Sequence, residues 1–170
     1  ADGFHWQPYN QGKFVFLKPP GHDSQMVAYW DKNLGKYVAI IRDRTGRISE
    51  VRAKLVTNAS ANQTWKRLWD PSGQRSPQNH SIRRVGQIES DDFITWTNYR
   101  VILGADMNDP LNQDQFYNME VLSYEGLRIG LMTVFSDDPE YCRGAVQLTS
   151  SRDGRNWRRF ENRQPFIPLS

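Results

Sequence analysis

Ser151-Arg152-Asp153-Gly154-Arg155-Asn156-Trp157 reads as the end of one strand, a tight turn and the start of the next. Gly154 supplies a backbone conformation that a residue with a Cβ resists, Asp153 can bond its own backbone across the turn, and Trp157 offers a large apolar plug. The pattern recurs. The chain opens with Asp2-Gly3-Phe4-His5-Trp6, and Ser90-Asp91-Asp92-Phe93-Ile94-Thr95-Trp96 sits mid-chain, so all three copies share Asp-x-x-x-Trp. A recurring strand–turn–strand is the signature of a repeat architecture.

Working outward from the last copy, 115–123 and 127–135 are strand-like runs joined by Tyr124-Glu125-Gly126, and 144–150 leads into the turn. The run 164–169, limited by Pro165 and Pro168, closes the unit as an edge strand. Outward from the middle copy, 24–30 and 36–42 form a hairpin about Asp31-Lys32-Asn33-Leu34-Gly35, 82–90 enters the turn, and 100–103 returns. Each unit therefore has four strands, with the turn joining the third to the fourth. Trp96 and Trp157 lie 61 residues apart and Trp6 and Trp96 lie 90 apart; the excess matches a polar insertion at 43–82. Trp65 and Trp69 within that insertion read as pins that hold it to the domain. No segment keeps a helical period over three turns, so the expected class is all-β.

Tandem four-stranded antiparallel units are β-propeller blades. The expected organisation is a single partial propeller domain over 1–170. Residues 1–18 form the last strand of a preceding blade, 22–104 form one blade with its insertion, and 113–169 form a second. A β-sandwich does not explain why the turn recurs at the third-to-fourth hairpin. The start at Ala1, without Met, points to a chain cut from something longer.

Composition narrows the function classes. A net charge of +3 over 170 residues, with no run of Lys or Arg, argues against a nucleic-acid partner. No 18-residue apolar run is present, which argues against a membrane-spanning helix. Cys142 is the single cysteine, so no intrachain disulfide forms and the compartment stays open. Six Trp among 12% aromatics suit packed sheets, or a surface that stacks on flat ligands such as sugars. His5, His22 and His80 lack metal-ligand spacing, and the Asp106, Asp109, Asp114 loop lacks the glycine and terminal glutamate of a calcium loop. No phosphate-cradling glycine loop or nucleophile elbow occurs. Neither a metal nor a cofactor is expected.

Several stretches carry a resemblance. The Asp-x-x-x-Trp turn resembles the Asp-box turn of sialidases and the related blade turn of five-bladed propeller glycoside hydrolases. His22-Asp23-Ser24-Gln25 with Tyr29-Trp30-Asp31 and Gly35-Lys36-Tyr37-Val38, then Gly86 to Trp96, then Gln147-Leu148 with Ser151-Arg152-Asp153-Gly154, and finally Gln164-Pro165-Phe166-Ile167-Pro168, resemble a bacterial family of glycosidase-like propellers. The resemblance covers most of the chain outside 43–82, but accounts for two full blades and one strand rather than five blades. A partial ring exposes apolar sheet faces, so self-association is expected.

The resemblance implies that the first strand of each blade lines a central channel, and that paired carboxylates there act on a glycosidic bond. On that basis Asp23 is the candidate base or nucleophile. Glu120, between Met119 and Val121, is the candidate acid. Gln25, Asp114, Tyr117 and Asn118 are candidates for bonding sugar hydroxyls, and Arg42 for orienting a carboxylate. Glu89 reads as a structural brace paired with Arg83 or Arg84. Asp2, Asp92 and Asp153 read as turn residues rather than catalysts. The implied function is carbohydrate binding or hydrolysis; the alternative is a non-catalytic blade module for binding or self-assembly.

Overall fold

The computed structural model describes residues 3–12, 26–47, 81–106, 108–109, 115–135, 144–160 and 162–168. Apart from a short turn at Tyr9–Gly12, every regular element among them is a β-strand: β1 (Val27–Asp31), β2 (Lys36–Arg47), β3 (Ser81–Ser90), β4 (Trp96–Leu103), β5 (Gln115–Tyr124), β6 (Leu127–Phe135), β7 (Gly144–Ser151) and β8 (Arg158–Arg159). They form two four-stranded sheets, ordered β1-β2-β3-β4 and β5-β6-β7-β8, with every neighbouring pair antiparallel. These are two successive propeller blades.

Strand bounds differ from the sequence reading in several places, and β4 begins at Trp96 rather than at 100. β2 extends to Arg47 and β3 begins at Ser81, so the edges of the expected insertion belong to the sheet. The fourth strand of the second blade is split. Arg158–Arg159 pairs with Ser150 and Thr149, whereas Ile167 makes a separate bridge to Val146. Pro165 and Pro168 flank Ile167 and donate no backbone hydrogen bond, which limits the ladder there to a bridge.

Val38, Ala39, Ile40 and Ile41 on β2 are all at most 2% exposed, because this strand is covered on both faces. Val38 and Ile40 face the second blade. With Val85 and Leu103 they form a core with Phe116, Met119, Met132, Val134 and Trp157 of that blade. Ala39 and Ile41 join Ile88 and Trp96 on the opposite face. Gly130 lets Trp157 lie against its own sheet: a Cβ there would stand 2.8 Å from Met119 Sδ and 3.0 Å from Trp157.

The repeated turn closes each blade in the same way. In the second blade, Asp153 Oδ1 accepts the amides of Arg155 (2.9 Å) and Asn156 (2.7 Å), and the Ser151 hydroxyl accepts the Gly154 amide at 2.9 Å. In the first blade, Asp92 Oδ1 accepts the amides of Ile94 (2.8 Å) and Thr95 (2.6 Å). Those amides hold the Asp92 carboxyl down to about 2 and keep Asp153 well below the usual carboxylate range. The tryptophan four residues on is buried in both, Trp96 at 2% exposure and Trp157 at 8%. The residue after the aspartate is left-handed in all three copies: Gly3 (φ 79), Phe93 (φ 63) and Gly154 (φ 72). Asp2 lies outside the described residues, and Trp6 of that first copy stands 86% exposed.

Candidate functional site

Strand direction sorts the molecule into two ends. The turns after β1, β3, β5 and β7 lie together at one end; β1 and β5 begin at the other. The expected ligand-binding residues of the sequence reading lie toward that strand-start end. Asp23, Gln25 and Asp114 lie outside the described residues, as do Trp65, Trp69 and Cys142. Arg42, Tyr117, Asn118 and Glu120 are described.

Two of these come together across the blade boundary. Arg42 on β2 is 3% exposed, its Nε donates to the Tyr117 carbonyl at 3.2 Å, and its guanidinium stacks 4.0 Å from the centre of the Tyr117 ring. The β5–β6 register shifts between Phe116 and Asn118, so Tyr117 is the extra residue of a bulge. A bulge re-aims a side chain out of the ladder. The Tyr117 ring is accordingly 38% exposed, with Phe135 as a tilted neighbour at 5.9 Å. Arg83 completes the frame: its amide donates to Gln115 Oε1 at 3.0 Å, and its guanidinium lies 5.7 Å from the Phe135 ring. The result is an exposed Tyr117 face braced from below by the buried Arg42 guanidinium, with the half-buried Arg83 beside Phe135. Gln115, Arg83 and Phe135 were missing from the sequence-derived set, since nothing local marks a contact between β3 and β5.

Asn118 and Glu120 stand elsewhere. They pair with Thr133 and Leu131 in the ladder, on the face of the second blade turned away from the first. Glu120 Oε1 is buried with no hydrogen-bond partner among the described residues.

The other acidic residues have structural work. Glu89, fully buried, accepts from Arg155 of the second blade's turn (3.1 Å from both Nε and Nη2), from Arg100 (2.9 Å) and from Asn98 (3.2 Å), rather than from Arg83 or Arg84. Arg84 instead holds Asp43 at 2.6 Å. Burial pushes the Glu89 carboxyl up, but Arg155, Asn98 and Arg100 outweigh it and hold the group below its ordinary value. In the loop after β4, Asp109 is clamped by Arg159, with 2.7 Å from Nη1 to Oδ2, and Asp106 by Arg163 at 2.5 Å. Both are neutralised by arginine. Among the described residues no group of three His, Cys, Asp or Glu side chains is placed to hold a metal ion, and no helix is long and apolar enough to cross a membrane.

No protein-family model matches the sequence, and no curated protein matches it. Solved structures do. The chain superposes on an N-acetylgalactosamine deacetylase from F. plautii, solved with blood group B trisaccharide, with a TM-score of 0.52 and 17% identity over 94% of this chain and 35% of that one. A glycoside hydrolase gives a TM-score of 0.53 and 17% identity over 86% and 34% of the two chains. A family 117 glycoside hydrolase from the marine bacterium Zobellia galactanivorans gives 0.51 and 12% over 84% and 40%. The chain spans about a third of the length of the first two. At such identities the likeness is one of fold: two blades of a propeller like those of glycoside hydrolases.

Proposed function

We propose that this chain is the sugar-recognising part of a five-bladed glycoside-hydrolase-type propeller, taking a carbohydrate at the end where β1 and β5 begin. One observation carries the reading: the Tyr117 ring, exposed and aimed out by a bulge, rests on the buried Arg42 guanidinium. A flat, electron-rich face held rigid is what the apolar C–H face of a pyranose packs against. Asp114 and Gln25, in the segments leading into β5 and β1, are the polar partners this reading assigns to hydroxyls.

Hydrolysis is the stronger form of the proposal, with Asp23 as base or nucleophile and a second carboxylate about 5–10 Å away. Glu120 lies on the face of the second blade turned from the first, and the binding form leaves it without a role. Non-catalytic recognition is therefore the form favoured here.

The test is a calorimetric titration of the full chain with neutral mono- and disaccharides, beside a panel of aryl-glycosides. Binding to at least one sugar is expected, weakened roughly fivefold or more by Tyr117→Ala. Absence of binding to every sugar, or binding indifferent to that substitution, would sink the reading. Turnover abolished by Asp23→Asn would promote the hydrolytic form.

A further inference from the structure

Tyr117 has no ladder partner of its own. The β5–β6 register shifts between Phe116 and Asn118 and leaves it as the unpaired residue of the bulge. Its direction is therefore set by whatever fixes its neighbours. Phe116, the residue before it, is fully buried, and the Arg159 guanidinium lies 4.6 Å from the centre of its ring. Arg42 lies 4.0 Å from the centre of the next ring, that of Tyr117. Two successive aromatics of β5 thus each carry an arginine, one from β8 of their own blade and one from β2 of the neighbouring blade.

Arg159 is itself rigidly held, with its side chain only 3% exposed. Its Nη1 donates to Asp109 Oδ2 at 2.7 Å, and its Nη2 donates to Asp109 Oδ1. Nη2 also donates to Gln147 Oε1 on β7 at 2.7 Å, joined by Nε at 3.3 Å. Asp109 Oδ2 accepts the Asp106 amide at 2.7 Å, so the same clamp fixes the turn at 106–109 on the way from β4 to β5. Neutralising a buried carboxylate needs a cation, and lysine would serve. Gripping it with two nitrogens while laying a flat face on a ring needs the planar fork of arginine. That geometry, beyond what the charge requires, is spent on the residue beside Tyr117.

We propose that Arg159 is a positioning residue for the Tyr117 ring: it pins Phe116 and so fixes the bulge, and Arg42 then holds the ring that the bulge turns outward. Arg159 touches no ligand itself, because its side chain is buried. The ring's role as a sugar platform rests on the carbohydrate reading above; its placement by Arg159 does not.

The test is fluorine NMR of the full chain labelled with fluorotyrosine, run beside the sugar titration. Loss of one signal in Tyr117→Phe identifies the Tyr117 resonance, and its broadening by a soluble gadolinium chelate reads how far the ring stands in solvent. Arg159→Lys keeps a cation beside Asp109 but loses the stacked plane. It should change the broadening of the Tyr117 resonance and weaken sugar binding roughly threefold or more. Phe116→Leu, which strands no charge, should do the same, and it serves where Arg159→Lys fails to fold. Gly154→Ala, in the turn at the other end of the sheet, lowers stability and should leave the Tyr117 broadening unchanged. In a Tyr117→Ala background, Arg159→Lys should cost no further affinity. The proposal is overturned by a Tyr117 ring equally exposed in wild type, Arg159→Lys and Phe116→Leu. It is also overturned by a Gly154→Ala that moves the ring as much, or by an Arg159→Lys that weakens binding further once Tyr117 is gone. A wild-type chain that binds no sugar overturns the carbohydrate reading alone, and the exposure of the ring then decides this proposal.

Discussion

Arg128 of the second blade grips Asp31 of the first. Its Nε donates to Asp31 Oδ2 at 2.7 Å and a second nitrogen donates to Oδ1, with the two side chains only 3% and 1% exposed. Asp31 Oδ1 also accepts the amides of Asn33 and Leu34, each at 3.0 Å, so one carboxylate shapes the β1–β2 turn and ties the blades together. Burial pushes this carboxyl up, yet the Arg128 guanidinium and those amides hold it below its ordinary value.

Arg128→Met should destabilise the fold by about 3–5 kcal/mol, since it strands a buried carboxylate. Lys36→Met removes the exposed pair with Asp91 and should change stability by less than about 1 kcal/mol. Urea denaturation of the two variants compares them directly; equal effects would refute the burial argument.

Gly154→Ala and Gly126→Ala separate backbone strain from crowding. Both glycines are left-handed, at φ 72 and φ 76, which costs an alanine about 1–2 kcal/mol. Around Gly126 a Cβ meets nothing, whereas at Gly154 it would lie 3.1 Å from Asp31 Oδ2, 3.2 Å from Leu34 and 3.3 Å from Arg128 Nε. Gly154→Ala should therefore lower the melting temperature further, and the difference between the two measures the turn's contact with the neighbouring blade.

Acid should loosen the blade boundary. Asp31 and Glu89 have folded-state values below their ordinary 3.8 and 4.5, so each binds protons more weakly when folded. Their contribution is complete above those values and is lost as pH falls through the lower, folded ones. Stability measured from pH 7 downward should hold to about 4.5 and then decline. Arg155→Gln, which removes one of Glu89's cations, should flatten that decline.

Arg42→Met is expected to weaken sugar binding as Tyr117→Ala does, but through Tyr117. It loses the stacked cation and the bond to the Tyr117 carbonyl. It should also destabilise the fold by about 1–3 kcal/mol, because a partly buried carbonyl loses its charged donor. Tyr117→Ala should cost less stability for the same loss of binding. Binding unchanged in Arg42→Met would mean that the ring needs no brace.

The sheet order was legible from the sequence because its signals are local. Asp-x-x-x-Trp recurs, each copy needs its own amides for its own aspartate, and Glu125-Gly126 takes the two left-handed conformations of a tight hairpin at φ 50 and φ 76. Phe93 is the exception to the glycine rule at its position. Its ring sits between Tyr37 at 5.1 Å and Trp96 at 5.3 Å, and that packing supports a conformation a phenylalanine otherwise resists. The candidate site was less legible. Arg42 and Tyr117 were each singled out, but not as partners, since 75 residues separate them.

The recurring turn, the two glycines that relieve it and the alternation along each strand are short-range properties, and they suffice to specify an all-β chain of four-stranded blades. Which cation neutralises which acid belongs to the tertiary structure alone. Arg155 reaches Glu89 over 66 residues and Arg128 reaches Asp31 over 97. The physical reason is that an ion pair across a blade boundary depends on how the sheets pack, and no local spacing encodes that distance. The Ser151–Trp157 turn shows both halves: its Asp153 closes the hairpin from within, while its Arg155 is placed against Glu89 only by the packing of one blade on the other.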